Sequence, residues 1–177
     1  MSKFFLKENP ELFSGRPDEP TQKCYEWIIS ADKIFSSEID GLKDYARIDH
    51  IDFMIYKSFL FEEAKTAEGS FCAKEVHIYM PSGCHCAMLE SRMAKNVIIP
   101  TITIKKIANV NKKDTVLEIK EFQQCVIRAF GIRNDIIGFA FRYRVFKDQY
   151  NNYDAEGVQK GSAAAQIDFV KWEIKES

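Results

Sequence analysis

Cys84-His85-Cys86, with Cys72 and His77 a short way upstream, is the densest group of metal-binding and nucleophilic side chains in the sequence. Structural zinc takes Cys-x₂₋₄-Cys pairs whose ligands converge as a tetrahedron. A Cys-x-Cys pair on a helix instead points its thiols about 200° apart. The spacing therefore predicts small, half-buried residues at a helix start, with no metal and no cofactor. A thiol beside His50, His77 or His85 would make a nucleophile and its base, but no local hydrolase signature surrounds any of them. Gly-x-Gly-x-x-Gly, phosphate-loop, Gly-x-Ser-x-Gly and His-Glu-x-x-His patterns are absent. No catalytic residue is assigned, and the chain is expected not to be an enzyme. A small Cys/His-dependent or metal-binding protein remains an alternative.

A second group is basic. Lys105, Lys106, Lys112 and Lys113 flank a strand-like run and its turn, and Arg142 and Arg144 alternate with Phe141, Tyr143 and Val145. Bases interleaved with aromatics suit single-strand nucleic acid. The same alternation is that of any half-exposed strand, and the net charge of −1 gives no overall pull toward nucleic acid. No nucleic-acid partner is expected. Charge is nevertheless polarised along the chain. Residues 1–70 hold 9 basic and 14 acidic residues, residues 71–150 hold 13 and 7, and residues 151–177 hold 3 and 5. A chain of this kind suits head-to-tail contact between copies.

The elements that position these groups read mostly as strands. Residues 1–22, with Pro10, Pro17 and Pro20, form an extended amino-terminal arm, since proline interrupts ladders and helices. Residues 23–177 are read as one β-barrel domain. Tyr25 to Ile29 is a first short strand. From Ile48 to Phe61 the chain alternates, with Ile51, Phe53, Ile55, Phe59 and Phe61 on one parity, as a half-buried strand does. Residues 62–73 break the pattern and read as an exposed loop, and Lys74 to Tyr79 resumes as a strand. Pro81-Ser82 opens one short helix, about residues 82–95, with Asn96 as its stop. Strands follow over Val97–Ala108, Thr115–Phe130 and Ile136–Lys147. Pro100 requires an edge, a bulge or a break in the first of these. Asp148 to Gly161 reads as a polar connection, and Ala163–Lys175 is the last strand. The fold class is mainly β: a small antiparallel β-barrel or sandwich with one short α-helix.

At 177 residues, 46% of them hydrophobic and 29% charged, the chain suits one globular domain with a real core. No apolar run approaches the ~20 residues of a membrane span. The five cysteines (an odd number) suit reduced thiols in a cytoplasm. The amino terminus has too short an apolar segment for a secretory signal, so any export is expected to proceed without a signal peptide.

From Ile39 onward the order of elements resembles the haemolysin-coregulated protein (Hcp) family, the inner-tube subunit of bacterial type VI secretion systems. The likeness is carried by Asp49-His-Ile-Asp-Phe53 and the long loop after it. Val76-His-Ile-Tyr79 leads into Pro81-Ser-Gly-Cys-His-Cys-Ala-Met-Leu89, and Ile102-Thr-Ile-Lys-Lys-Ile107 follows. Thr115–Ile127, Ile137–Phe146 and Ile167-Asp-Phe-Val-Lys-Trp172 complete it. The chain departs from the family in a longer amino-terminal arm, a loop without a glycine-rich run, and more cysteine. The resemblance implies six copies in a ring, rings stacked into a tube, sheath and spike proteins as partners, and effector cargo in the lumen. It implies a protein made in the cytoplasm and exported. Within the loop, Glu62, Glu63, Lys65 and Glu68 with Phe71 are the expected contacts between rings or subunits. The alternative from another class is a monomeric secreted effector or adaptor that binds one protein partner.

Overall fold

The computed structural model describes residues 25–35, 44–59, 69–73, 75–110, 113–154, 156–169 and 173–176. The amino-terminal arm lies outside them. Among the described residues the chain is antiparallel β with one helix. The strands are β1 (Tyr25–Ala31), β2 (Ala46–Ile48), β3 (His50–Asp52), β4 (Ile55–Phe59), β5 (Gly69–Ala73) and β6 (Val76–Pro81). Helix α1 (His85–Ala94) follows. Then come β7 (Ile99–Val110), β8 (Lys113–Arg133), β9 (Ile136–Arg142), β10 (Val145–Tyr153), β11 (Gln159–Asp168) and β12 (Glu173–Glu176).

A large sheet has the order β12-β11-β10-β8-β7-β1-β2, and a small one the order β3-β6-β9-β8. They share β8, whose first half pairs with β7 and β10 and whose second half pairs with β9. The bend between the halves falls at Gln124, which has a φ of 54°. The register with β7 passes from Ile99↔Cys125 to Thr101↔Gln123 across that bend, so Pro100 stands where no ladder donor is used. Two more paths change sheets. β2 leads into β3 at Asp49, whose N–H donates to Tyr79 O at 2.9 Å, and β9 leads into β10 across Tyr143 and Arg144. The pairings run from β1 through β7, β8, β9, β6 and β3. The Asp49 backbone, not a ladder, then returns the path to β2 and β1. The sheet is thus open, and of the two expected forms the fold is the sandwich.

The core lies between the two sheets, with Ile29, Ile102, Ile104 and Phe122 from the large sheet facing Val76, Ile78, Ile137, Phe139 and Phe141 from the small one. Phe122 sits at its centre, with the rings of Phe53, Phe141, Tyr143 and Phe146 at 4.9–5.5 Å between centroids. Leu89 brings α1 onto the same core. The helix stops as the sequence requires. Asn96 takes a φ of 50°, its N–H donates to Met93 O, and the Val97 N–H donates to Arg92 O. This is the six-to-one closure of a left-handed helix end.

Six sequence expectations change. Two are strands: 136–147 breaks at Tyr143-Arg144 between β9 and β10, and 163–175 is β11 and an antiparallel β12. Over its described part, 48–59, the run belongs to three strands, because Phe53 and Met54 both turn toward the interior and break the alternation. Residues 69–73 of the expected loop are strand β5. Pro81 ends β6, and the helix begins only at His85. The expected connection 148–161 is largely ladder, β10 to Tyr153 and β11 from Gln159, closed by a tight turn at Asp154. Its polar side chains support the pairing: Asn151 Nδ2 and Tyr153 OH donate to Val116 O at 2.9 and 3.0 Å.

Candidate interaction surface

Of the expected contact residues, Glu62, Glu63, Lys65 and Glu68 lie outside the described residues. Phe71 is on β5, in register with Lys57 of β4. β4 and β5 pair with one another and, among the described residues, with nothing else. A two-stranded ribbon standing alone is marginally stable in water.

The Cys84-His85-Cys86 side chains diverge. His85 turns inward, beside the Phe35 ring, and its Nε2–H donates to Pro81 O at 3.1 Å. A Cβ at Gly83 would lie 2.9 Å from the His85 ring, so glycine is what lets the imidazole tuck under the helix start. Cys86 Sγ accepts the Gly83 N–H at 3.3 Å, and Cys84 is exposed. No group of three or more potential metal ligands occurs among the described residues.

The basic group is engaged within the chain. Lys105 Nζ lies 4.6 Å from the Tyr45 ring centre, and Lys106 Nζ 3.9 Å from that of Tyr25. Arg142 pairs with Glu75 at 2.8 Å, and Arg144 reaches Asp168 at 3.9 Å. Lys112 lies outside the described residues, and Lys113 begins β8.

The outer face of the small sheet carries a groove that sequence reading missed. One row across its strands is His50, Tyr79, Gly138 and Gly131, and the next is Asp52, His77, Ala140 and Ala129. Small residues thus form the floor on β8 and β9, while three rings and a carboxylate stand on β3 and β6. The signal was present: small side chains at 129 and 131 and again at 138 and 140, the period of a strand face. The Tyr79 ring lies over Gly138, where a Cβ would meet it at 3.1 Å, whereas above Gly131 nothing comes within 4 Å. His50 Nε2 and Asp52 Oδ1 are 2.9 Å apart on one wall. Exposed Ile132 and Ile136 rim the other end, on a hairpin whose Asn134 and Asp135 both have positive φ. The groove encloses about 920 Å³, and a neighbouring hollow of about 290 Å³ shares Tyr79, Gly131 and Gly138 with it. Its described lining contains no serine, threonine or cysteine. Such a floor leaves room for another surface to approach the backbone closely.

The inner face of the large sheet becomes charged away from the core. Lys120 Nζ bonds Glu118 Oε1 and lies 2.9 Å from Asp148 Oδ2, with the rings of Phe53, Phe146 and Tyr150 within 6 Å. Burial opposes the Lys120 ammonium, but its hydrogen bonds to Glu118 and Asp148 and their charge hold its pKa above the usual lysine value. Burial pushes the Asp148 carboxyl up, against the pull of Lys120. The buried Asp148 Oδ1 has no partner among the described residues.

No family model matches the sequence, and no curated protein sequence matches it. Solved structures do match the fold. One, described as a protein of a type six secretion system, aligns with a TM-score of 0.75 at 15% identity over 85% of this chain and 99% of that one. Hcp1 from Salmonella typhimurium aligns with a TM-score of 0.66 at 14% identity, over 86% and 99% of the two chains. A type VI secretion system effector from Yersinia pestis aligns with a TM-score of 0.60 at 11% identity, over 80% and 98%. The fold of this chain is therefore the fold of the Hcp proteins of type VI secretion.

Proposed function

We propose that the chain is a structural subunit of a type VI secretion-like tube, in which six copies form a ring and rings stack. One observation carries this reading: the fold likeness takes in 99% of the length of Hcp1 from Salmonella typhimurium. The open sandwich suits the role, because among the described residues ribbon β4–β5 and the edges of the large sheet have no covering strand, which a neighbour can supply. The tube works by assembly rather than catalysis. Sheath and spike proteins act on it from outside, and effectors ride in its lumen. The segment with Glu62, Glu63, Lys65, Glu68 and Phe71 is the contact between rings.

Light scattering after size exclusion, with negative-stain images of the same peak, tests the reading. The expected result is about six times the 20.5 kDa chain mass and annular particles. A monomer at every concentration overturns it. Deleting residues 62–68 should leave single rings and abolish stacking, and stacks that persist refute the assigned contact. The second reading, an exported effector acting as a monomer, is favoured by the likeness to the Yersinia pestis effector.

A further inference from the structure

Helix α1 turns small and apolar side chains outward. At about 100° per residue, its inward side carries His85 and Leu89, both buried, and the opposite side carries Ala87, Ser91 and Ala94. Ala87 and Ala94 are exposed, and beside them Met88 is 40% exposed. A helix on the surface of a lone domain directs charged and long polar side chains to that side. Here such groups stand only on the flanks, Glu90 on one and Lys95 on the other, and both are exposed.

The groove on the outer face of the small sheet has the reciprocal form. Its floor is Gly138 and Ala140 on β9 with Gly131 and Ala129 on β8, the last strand of that sheet. From the rings on β6 to β8 is two strand spacings, about 10 Å, and a helix with its side chains is about as wide. No floor side chain is larger than a methyl group, so the Ala87-Ser91-Ala94 face can approach the sheet closely. The Tyr79 and His50 rings offer the Met88 thioether an aromatic wall. Charge matches as well. Asp49 and Asp52 line the β3 side of the groove and Arg133 the β8 side. A helix laid along the trough with Lys95 toward β3 brings Glu90 toward Arg133. Laid in the reverse direction, it would set like charges together on both flanks.

We infer that the groove is the docking site for helix α1 of a second copy of this chain. The helix face and the groove are different surfaces of one subunit, so the contact is heterologous and joins copies head to tail. The inference rests on the assembly reading above and deepens it by naming the contact between neighbours in a ring.

Ala87→Arg and Gly131→Arg test the contact from its two sides. Both positions are exposed, and a side chain at 131 meets nothing within 4 Å, so both variants should keep the wild-type circular dichroism spectra. Each should raise the concentration of half-assembly, read by sedimentation velocity, at least about tenfold, because an unpaired guanidinium would be buried in the contact. Charge reversal at the rim forms a second arm that does not depend on those two variants folding. Lys95→Glu should weaken assembly, and Lys95→Glu with Asp49→Lys should recover most of the loss. If either folded arginine variant assembles at the wild-type concentration, the trough belongs to another occupant, and the inference is overturned with the assembly reading intact. A double variant no better than Lys95→Glu alone overturns it in the same way. A wild type that never assembles overturns both readings.

Discussion

Pro100 stands opposite Gln124, at the point where β8 passes from one sheet to the other. Each residue makes sense through its neighbour. Gln124, at a φ of 54°, takes a backbone that L side chains pay about 1–2 kcal/mol to adopt. The ladder pair at that bend is missing, so proline's lost N–H costs nothing there.

Replacing Gln124 by glycine should therefore stabilise the fold by about 1 kcal/mol, less the added chain entropy of glycine in the unfolded state. Gln124→Val should destabilise it by at least about 1 kcal/mol, since branched side chains fit that conformation worst. Urea denaturation of the three proteins decides the matter. If glycine proves worse than valine, the bend owes nothing to the left-handed residue.

Gly138 and Gly131 are cross-strand partners, yet they should respond in opposite ways. A side chain at 138 meets the Tyr79 ring at 3.1 Å, whereas one at 131 enters open groove. Gly138→Val should cost about 1–2 kcal/mol, while Gly131→Val should be neutral or mildly favourable through strand propensity. Thermal melts read the difference. Equal losses at the two sites would mean that the ring over Gly138 is not held there.

Much of the architecture was legible because its strands are apolar or alternate cleanly. β7 and β8 lie close to where branched and aromatic residues placed them, β9 begins where expected but ends at Arg142, and Asn96 and Asn134-Asp135 end their elements as turn chemistry predicts. The misses have a shared cause, which is that tertiary contact overrode local pattern. β10 is polar from Asp148 to Asn152, and its pairing draws on Lys120 and on Val116 O, groups far away in sequence. The 48–61 run alternates, but Phe53 leaves the alternation to pack on Phe122 and Phe146. Among the surfaces, the groove was written in period-two small residues, and β11 was expected only from Ala163 because Gln159 to Ser162 are polar or small and carry no strand signal.

Lys120 is held between two buried carboxylates, so removing it should be far more damaging than removing either of them. Lys120→Ala should cost about 3–5 kcal/mol by leaving Glu118 and Asp148 without their cation. Asp148→Asn tests the pH dependence. The native Asp148 pKa lies above the ordinary 3.8, so the folded state binds its proton more tightly than the unfolded one. This contribution is full below that value and is lost as pH rises toward the native pKa. Denaturation from pH 3.5 upward should show a falling component in the wild type that Asp148→Asn lacks. Identical profiles would refute a raised carboxyl.

The buried Cys125 thiol sets the alkaline limit. Its Sγ donates to Phe122 O at 3.2 Å, and burial pushes its pKa from 9.0 up to about 12. An unfolded chain releases that proton from pH 9 upward, while the folded chain keeps it, so stability is full below pH 9 and falls above. For one proton the slope approaches about 1.4 kcal/mol per pH unit. Tyr143 is also raised, by burial and then by the nearby thiol, but its loss begins only above the ordinary 10.0. Burial raises Tyr150 as well, to about 12. Between pH 9 and 10 Cys125 thus gives the largest of three contributions, and the variant at 125 is what separates it from the two tyrosines. Cys125→Ala should be less stable at pH 7, because it leaves a small void beside Phe122. Its decline across that interval should be shallower than the wild type's by most of one proton. Parallel declines would show that the thiol ionises in the folded protein as readily as in water, and that the bend in β8 is open to solvent.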